Sequence, residues 1–352
     1  MTLKEALAAI KPADKSAYEA AKKRWDSIAK PLGSLGLMEE AVCRMAAVNG
    51  SAKFDINKRA VVVMCADNGV VVEGVTQTGQ EVTAIVTENM SSGDTSVCCM
   101  ARAARADVVP VDIGVCRPVV GDKIRQRVIR RGTDNMTLGP AMSRDEAIAA
   151  VEVGINIVRE LAEEGYTLLA TGEMGIGNTT TSSAITAVLL DKDPAEVTGK
   201  GAGLSSEGLK KKISAIERAI ELNKPDKNDP IDVLAKVGGF DIAGLAGVFI
   251  GGAVCGIPVL ADGFISCVSA IVAQRICPAV ADYVLASHAS KEPAGVLVTE
   301  AMGARPFLYA DMCLGEGTGA VAVIPLLDMA LAVYEGMSTF EDINIDAYEH
   351  LA

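Results

Sequence analysis

From residue 60 to about residue 310 the chain alternates between two textures. Short, nearly continuous apolar runs occupy 60–65 (AVVVMC), 107–113 (DVVPVDI), 166–170 (YTLLA), 257–261 (IPVLA) and 283–286 (YVLA), with 306–310 (PFLYA) as a candidate sixth. Longer Ala-rich amphipathic stretches separate them. Runs that are apolar on both faces and alternate with helices mark a parallel sheet covered on both sides. The expected fold is α/β: a Rossmann-like open parallel sheet with helices on both faces. Before residue 50 the spacing is helical over 4–10, 16–28 and 37–48, broken at Pro31, Gly33 and Gly36. Another helix is predicted over 317–336, with Pro325 inside it, before an acidic tail. Helical ends around a βα core predict a small helical domain from 1–50 and 331–352, and a large α/β domain over 51–330.

One run, 242–261, carries no charge for 20 residues and is long enough to cross a bilayer. Gly251-Gly252 and Pro258 interrupt it, and Asp241 and Asp262 flank it with no basic residue to mark a cytoplasmic side. A buried helix, a Gly-rich turn and a buried strand fit better, and no membrane span is expected.

The residues just after each run point to function. ADNG comes after Cys65, DIG after Val111, TGEMGIGN after Ala170, ADGF after Leu260, ASHAS after Leu285 and ADMCLGEGTG after Tyr309. In open parallel sheets such loops gather at the carboxyl edge, where ligands bind.

Composition narrows the choice. Half of the 352 residues are hydrophobic but only 4% are aromatic, and 34 are glycine, which disfavours a sandwich or propeller and excludes disorder as the main state. A net charge of −12 argues against nucleic-acid partners, while local loops and helix ends still allow a small anion. Two histidines, His288 and His350, leave no histidine-rich metal site. Nine cysteines without a C-x-x-C read as small buried hydrophobes in a reducing compartment. The charged N-terminus lacks a secretory apolar segment, so a cytoplasmic location is expected.

The strongest local feature is 171–185, TGEMGIGNTTTSSAI. Glycines at 172, 175 and 177 let backbone approach an anion, and Asn178, Thr179, Thr180 and the hydroxyls after them open a helix. It is neither a Walker A loop nor a dinucleotide fingerprint, and a plain N-capped helix fits the same letters. Lys210, Lys211 and Lys212 would point in three directions on a helix and read as a solvated run. Glu316, between two glycines, and Glu173 each stand on a strand-end loop. Paired carboxylates there suit general-base work. Asp67, Asp112, Asp241 and Asp262 share that setting, and carboxylate-rich loops alone leave magnesium open. Asp241 reads as a helix N-cap. Ser287, His288 and Ser290 suggest a hydrolase, but no G-x-S-x-G elbow accompanies them.

Taken together, RWDSIAKPLGSLGLMEE (24–40), VMCADNGVVVEGVTQTGQEVT (63–83), TGEMGIGNTTTSSAI (171–185), VGGFDIAGLAG (237–247), ADGFISCVSA (261–270), ASHASKEPAG (286–295) and LGEGTGAVAVIPLLDMA (314–330) closely resemble the nicotinate-nucleotide–dimethylbenzimidazole phosphoribosyltransferase family. The resemblance spans residues 24 to 330 in order and makes 51–330 the nucleotide-binding catalytic domain. It implies transfer of phosphoribose from nicotinate mononucleotide to a lower-ligand base such as 5,6-dimethylbenzimidazole, releasing nicotinate, in cobalamin biosynthesis. It implies Glu316 as general base, with Glu173 beside it. It implies a nucleotide site at Glu173, Gly175, Gly177, Asn178, Thr179 and Thr180, with Lys212 and Ser290 on the phosphate. The base pocket would draw on Leu314, Met174 and the loop from Thr76 to Gln80. No metal or other cofactor is expected, because the leaving pyridinium nitrogen already carries positive charge. Partners would be the two small molecules and a second copy of the chain, or an unlike subunit as in some relatives. Where others have Asp-His-Gly, this chain has Asp67-Asn68-Gly69. Other benzimidazoles, purines and a phenolic acceptor therefore stay open.

Overall fold

The computed structural model describes residues 1–201 and 203–349; Ala202 and residues 350–352, which include His350 and the end of the expected helical domain, lie outside the described residues. Six strands form one sheet: Arg59–Ala66 (β1), Asp107–Gly114 (β2), Arg125–Gln126 (β3), Leu168–Met174 (β4), Val259–Ala261 (β5) and Val284–Ala286 (β6). Their order is β3-β2-β1-β4-β5-β6 and every neighbouring pair is parallel. The strand order reverses between β1 and β4, which places a crevice at their carboxyl ends.

β1 shows why the apolar runs are unbroken. All eight of its residues are buried. Ala60, Val62, Met64 and Ala66 face one core, and Val61, Val63 and Cys65 face the other, as the two-residue period of a strand requires. The first core is covered by the helices Arg144–Glu163, Phe240–Cys255 and Phe264–Ile276. The second lies under Lys15–Ser27, Leu37–Asn49 and Thr318–Gly336. Residues 25–29 and 334–340 meet on that second face, while the helix Leu3–Ala9 packs on the first. The Ala29 N–H donates to the Ser338 carbonyl (3.0 Å), the Phe340 N–H donates to the Ser27 carbonyl (3.0 Å), and the Trp25 ring lies 5.1 Å from that of Tyr334.

Two expectations change. The 306–310 run is not a strand: Leu308 makes a single bridge to His288, and the sixth strand is the polar pair Arg125–Gln126 instead. In 242–261 the helix does not stop at the paired glycines but runs to Cys255, turning at Gly256 (φ +66°) into a shorter strand, β5. Its glycines are there for packing. A Cβ on Gly247 would fall on the Val151 carbonyl, one on Gly154 would fall on the Gly244 carbonyl, and one on Gly251 would crowd Val158. The Arg144–Glu163 and Phe240–Cys255 helices thus touch backbone to backbone. Among the described residues one helix, Thr318–Gly336, is long and apolar enough to cross a membrane; half of that window is buried, and Val321, Val323, Ile324 and Leu327 sit in the second core.

The helix crossing predicts a large packing penalty at one atom. Gly247→Ala should lower stability by at least about 2 kcal/mol, since the new methyl meets backbone that cannot rotate away. Urea unfolding reads this directly, and an unchanged midpoint would show that the helices can part.

Candidate active site

The carboxyl ends of β4, β5 and β6, with the loop that ends in Thr318–Gly336, surround a cleft of about 310 Å³. That volume is at the lower end for a small-molecule site.

β4 ends in Glu173 and Met174, and its loop doubles back into the Asn178–Leu190 helix through Gly177 (φ +97°). The turn passes so close to β1 that a Cβ on Gly175 would meet the Ala66 carbonyl and the Asp241 carboxylate (2.5 Å to Oδ2). Only glycine allows that approach. The Asn178 amide donates to Glu173 Oε2 and, at 3.0 Å, to Asp241 Oδ2. Asp241 is therefore not a helix N-cap: Gly239 holds that position, and Asp241, in the first turn, presents its carboxylate to Asn178. Burial pushes the Glu173 carboxyl up to about 8, against the Asn178 hydrogen bond, with the nearby Asp241, Asp262 and Glu316 charges adding to the rise. Burial likewise raises Asp241 to about 6.

The cationic corner is made by one lysine. Lys210 and Lys211 are exposed, as a solvated run predicts, whereas Lys212 is only 1% exposed. Its Nζ donates to Thr179 Oγ1 (2.8 Å) and to the Gly199 carbonyl (3.1 Å). Burial pulls its ammonium down to about 8, offset in part by Glu292. Thr179, Gly201, Ser290 and Glu292 line the cleft beside it. The corner offers a partly desolvated cation, two hydroxyls and the start of a helix, the components of a small anion site.

Glu316 also lines the cleft. Gly315 (φ +90°), Glu316 (φ +60°) and Gly317 (φ +96°) are three consecutive left-handed residues, a conformation that costs a non-glycine about 1 kcal/mol or more. Glu316 Oε2 accepts the Val97 N–H at 3.1 Å, from the first turn of Ser96–Ala103. Burial raises its carboxyl above the ordinary value; the Val97 bond opposes this and the Asp262 charge reinforces it. Leu314, 56% exposed, stands beside it on the cleft wall with Met174.

Of the residues expected from sequence, Glu173, Met174, Gly175, Asn178, Thr179, Ser290, Leu314 and Glu316 come together on the cleft, and Lys212 reaches it through Thr179. Gly177 lies behind, as the N-cap of the Asn178–Leu190 helix, and Thr180 is fully buried. Thr76 and Gln80 stand off the wall. The Thr76 hydroxyl donates to the Thr78 carbonyl, and the Gln80 amide donates to the Asn68 carbonyl at 3.3 Å. Val82 and Val86, one helical turn apart on Glu81–Ser92, supply apolar surface there instead. Their i, i+4 spacing was a readable signal that the loop's own polar letters masked. Asp262 and His288, both buried, complete the floor. No group of three or more side chains suited to a metal ion occurs among the described residues.

Comparison with known proteins agrees over the whole length. A protein-family model described as a phosphoribosyltransferase matches residues 10–345. The nicotinate-nucleotide–dimethylbenzimidazole phosphoribosyltransferase of Acetivibrio thermocellus is 50% identical over 335 residues, covering 95% of each chain. Its counterpart in Ruminiclostridium cellulolyticum is 48% identical over 351 residues, covering 100% of each. The crystal structure of CobT from Thermus thermophilus superposes with a TM-score of 0.90 at 39% identity, over 95% of this chain and 100% of that one. Fold, strand order and full-length similarity agree, and the chain belongs to the nicotinate-nucleotide–dimethylbenzimidazole phosphoribosyltransferase family.

Proposed function

We propose that the cleft transfers phosphoribose from nicotinate mononucleotide to 5,6-dimethylbenzimidazole or a related base. The observation that carries this reading is that one cleft is lined both by Glu316, with exposed Leu314 beside it, and by Thr179, whose hydroxyl the buried Lys212 bonds. The phosphate sits at Lys212, Thr179 and Ser290. The flat acceptor lies against Leu314, Met174, Val82 and Val86. One imidazole nitrogen attacks the anomeric carbon from the face opposite nicotinate. The glycosidic C–N bond breaks, its electron pair returns to the pyridinium nitrogen, and neutral-ring nicotinate leaves. Glu316 takes the proton from the other imidazole nitrogen, and inversion at the anomeric carbon makes the product the α-ribotide. Glu173, held largely protonated at neutral pH, keeps the floor of the cleft from accumulating repelling charge. The enzyme works in the cytoplasm as a homodimer on this reading, which the family resemblance supports, with nine free cysteines in keeping with a reducing compartment. Residues 1–50 and the segment from 331 onward form its small domain on this reading.

These outcomes are expected. Purified protein given nicotinate mononucleotide and dimethylbenzimidazole should release nicotinate, and sediment at twice the mass of one chain. Absence of release with every benzimidazole, purine and phenol tested would sink the assignment. Glu316→Gln should lower kcat by about 10² to 10⁴. Because the Glu316 carboxyl is raised, its basic form builds only as pH climbs through that elevated value. Wild-type kcat/KM should accordingly rise along an acid limb above the usual glutamate range, and the variant should lack that limb. Lys212→Met should weaken nucleotide binding by about 10- to 100-fold, the worth of one charge-assisted hydrogen bond. In the wild type, nucleotide affinity measured by calorimetry should fall as pH rises through about 8, where free Lys212 loses its proton.

A further inference from the structure

We propose that Asp262 is the positioning residue that holds Glu316 in place for proton abstraction. The inference rests on the transfer reaction above and adds a residue that does not touch substrate in it. Asp262 follows β5 directly and is buried. Its two carboxylate oxygens accept separate N–H groups from the neighbouring loop: Oδ2 takes that of Gly317 (3.2 Å) and Oδ1 takes that of Ala320 (2.9 Å). These donors flank the point where the strained Gly315-Glu316-Gly317 turn becomes the Thr318–Gly336 helix. A left-handed glutamate persists only when its surroundings over-determine it. Asp262 supplies that hold from one side. From the other, β4 presses on the turn, since a Cβ on Gly172 would collide with the Glu316 carbonyl. Across the turn itself, the Thr318 hydroxyl donates to the Gly315 carbonyl at 2.9 Å.

Asp262 also sets the electrostatics of Glu316. The groups facing Glu316 are Asp262 after β5, Glu173 at the end of β4 with Asp241 behind it, Asp94 in the groove outside, and the Val97 N–H. His288, after β6, faces Asp262 with Nδ1 3.8 Å from Oδ1, and its ring packs so tightly that Gly319 leaves no room for a Cβ. Among the described residues Asp262 is the one carboxylate that both bonds the turn and bears on Glu316 by charge, so one residue fixes where the base stands and how firmly it holds a proton. An asparagine cannot replace it. Its single amide oxygen can serve one of the two N–H groups, and its NH₂ would oppose the other.

The test is the rate of nicotinate release from nicotinate mononucleotide and dimethylbenzimidazole, across pH, for wild type, Asp262→Asn and Thr318→Val. Asp262→Asn should lower kcat about 100-fold while KM for nicotinate mononucleotide stays within about threefold, the pattern of a misplaced base rather than a lost binding group. Its acid limb should move to lower pH, because a negative neighbour of Glu316 is gone. Thr318→Val keeps the Asp262 charge and loosens only the turn, so kcat should fall about 10-fold with the limb in place. Asp262→Asn with wild-type kcat and limb overturns the proposal, as does a loss confined to KM. If Asp262→Asn does not fold, Thr318→Val decides, and wild-type kcat there overturns it. A wild-type protein with no turnover would overturn the transfer reaction itself and this inference with it, whereas wild-type turnover with unchanged variants overturns this inference alone.

Discussion

Removing a carboxylate from water costs several kcal/mol unless N–H donors meet its oxygens, and this chain does it repeatedly along one sheet edge. Glu173, Asp241 and Asp262 are buried side by side, with Glu316 half-buried over them. The four are met in three ways. Asp262 is met by two backbone N–H groups, Asp241 and Glu173 share the Asn178 amide, and Glu316 has the Val97 N–H. The loops are where they are because these donors must be. Parallel strands help to set this up, since Glu173 ends β4 and Asp262 directly follows β5 on the same edge.

On the proposed reading, the same edge lets an acidic chain handle an anionic substrate. A surface cluster of lysines would be screened by solvent and salt. One lysine taken out of water interacts more strongly and in a fixed direction. Lys212 achieves this within a helix whose adjacent lysines remain in solvent, so local sequence could not distinguish them.

The long apolar strands were legible because burial on both faces leaves no polar letters in them, as in 60–65. Arg125–Gln126 was not, because a two-residue edge strand needs no apolar run. The 306–310 run misled for the opposite reason: its apolar letters cover a loop that touches β6's extension at one residue. Within the site, Glu173 and Glu316 could be read from their glycine settings, and Lys212 emerged from its lysine run only through family resemblance. Asp262 was visible as one of several strand-end carboxylates. Its partners could not be, because Gly317 and Ala320 lie 55 and 58 residues away and are joined to it only by the fold. Thr76 and Gln80 show the converse, since residues close in sequence to the cleft-lining Val82 and Val86 turn their polar groups onto their own loop and onto the segment after β1.

The left-handed turn at Glu316 puts two kinds of selection in conflict. A glycine at position 316 would relieve about 1 kcal/mol of backbone strain and empty a half-buried carboxyl from the cleft. Folding alone therefore gives no reason to place a carboxyl at this point, and on the proposed transfer chemistry the turn sets backbone strain against reactivity more plainly than any part of the core.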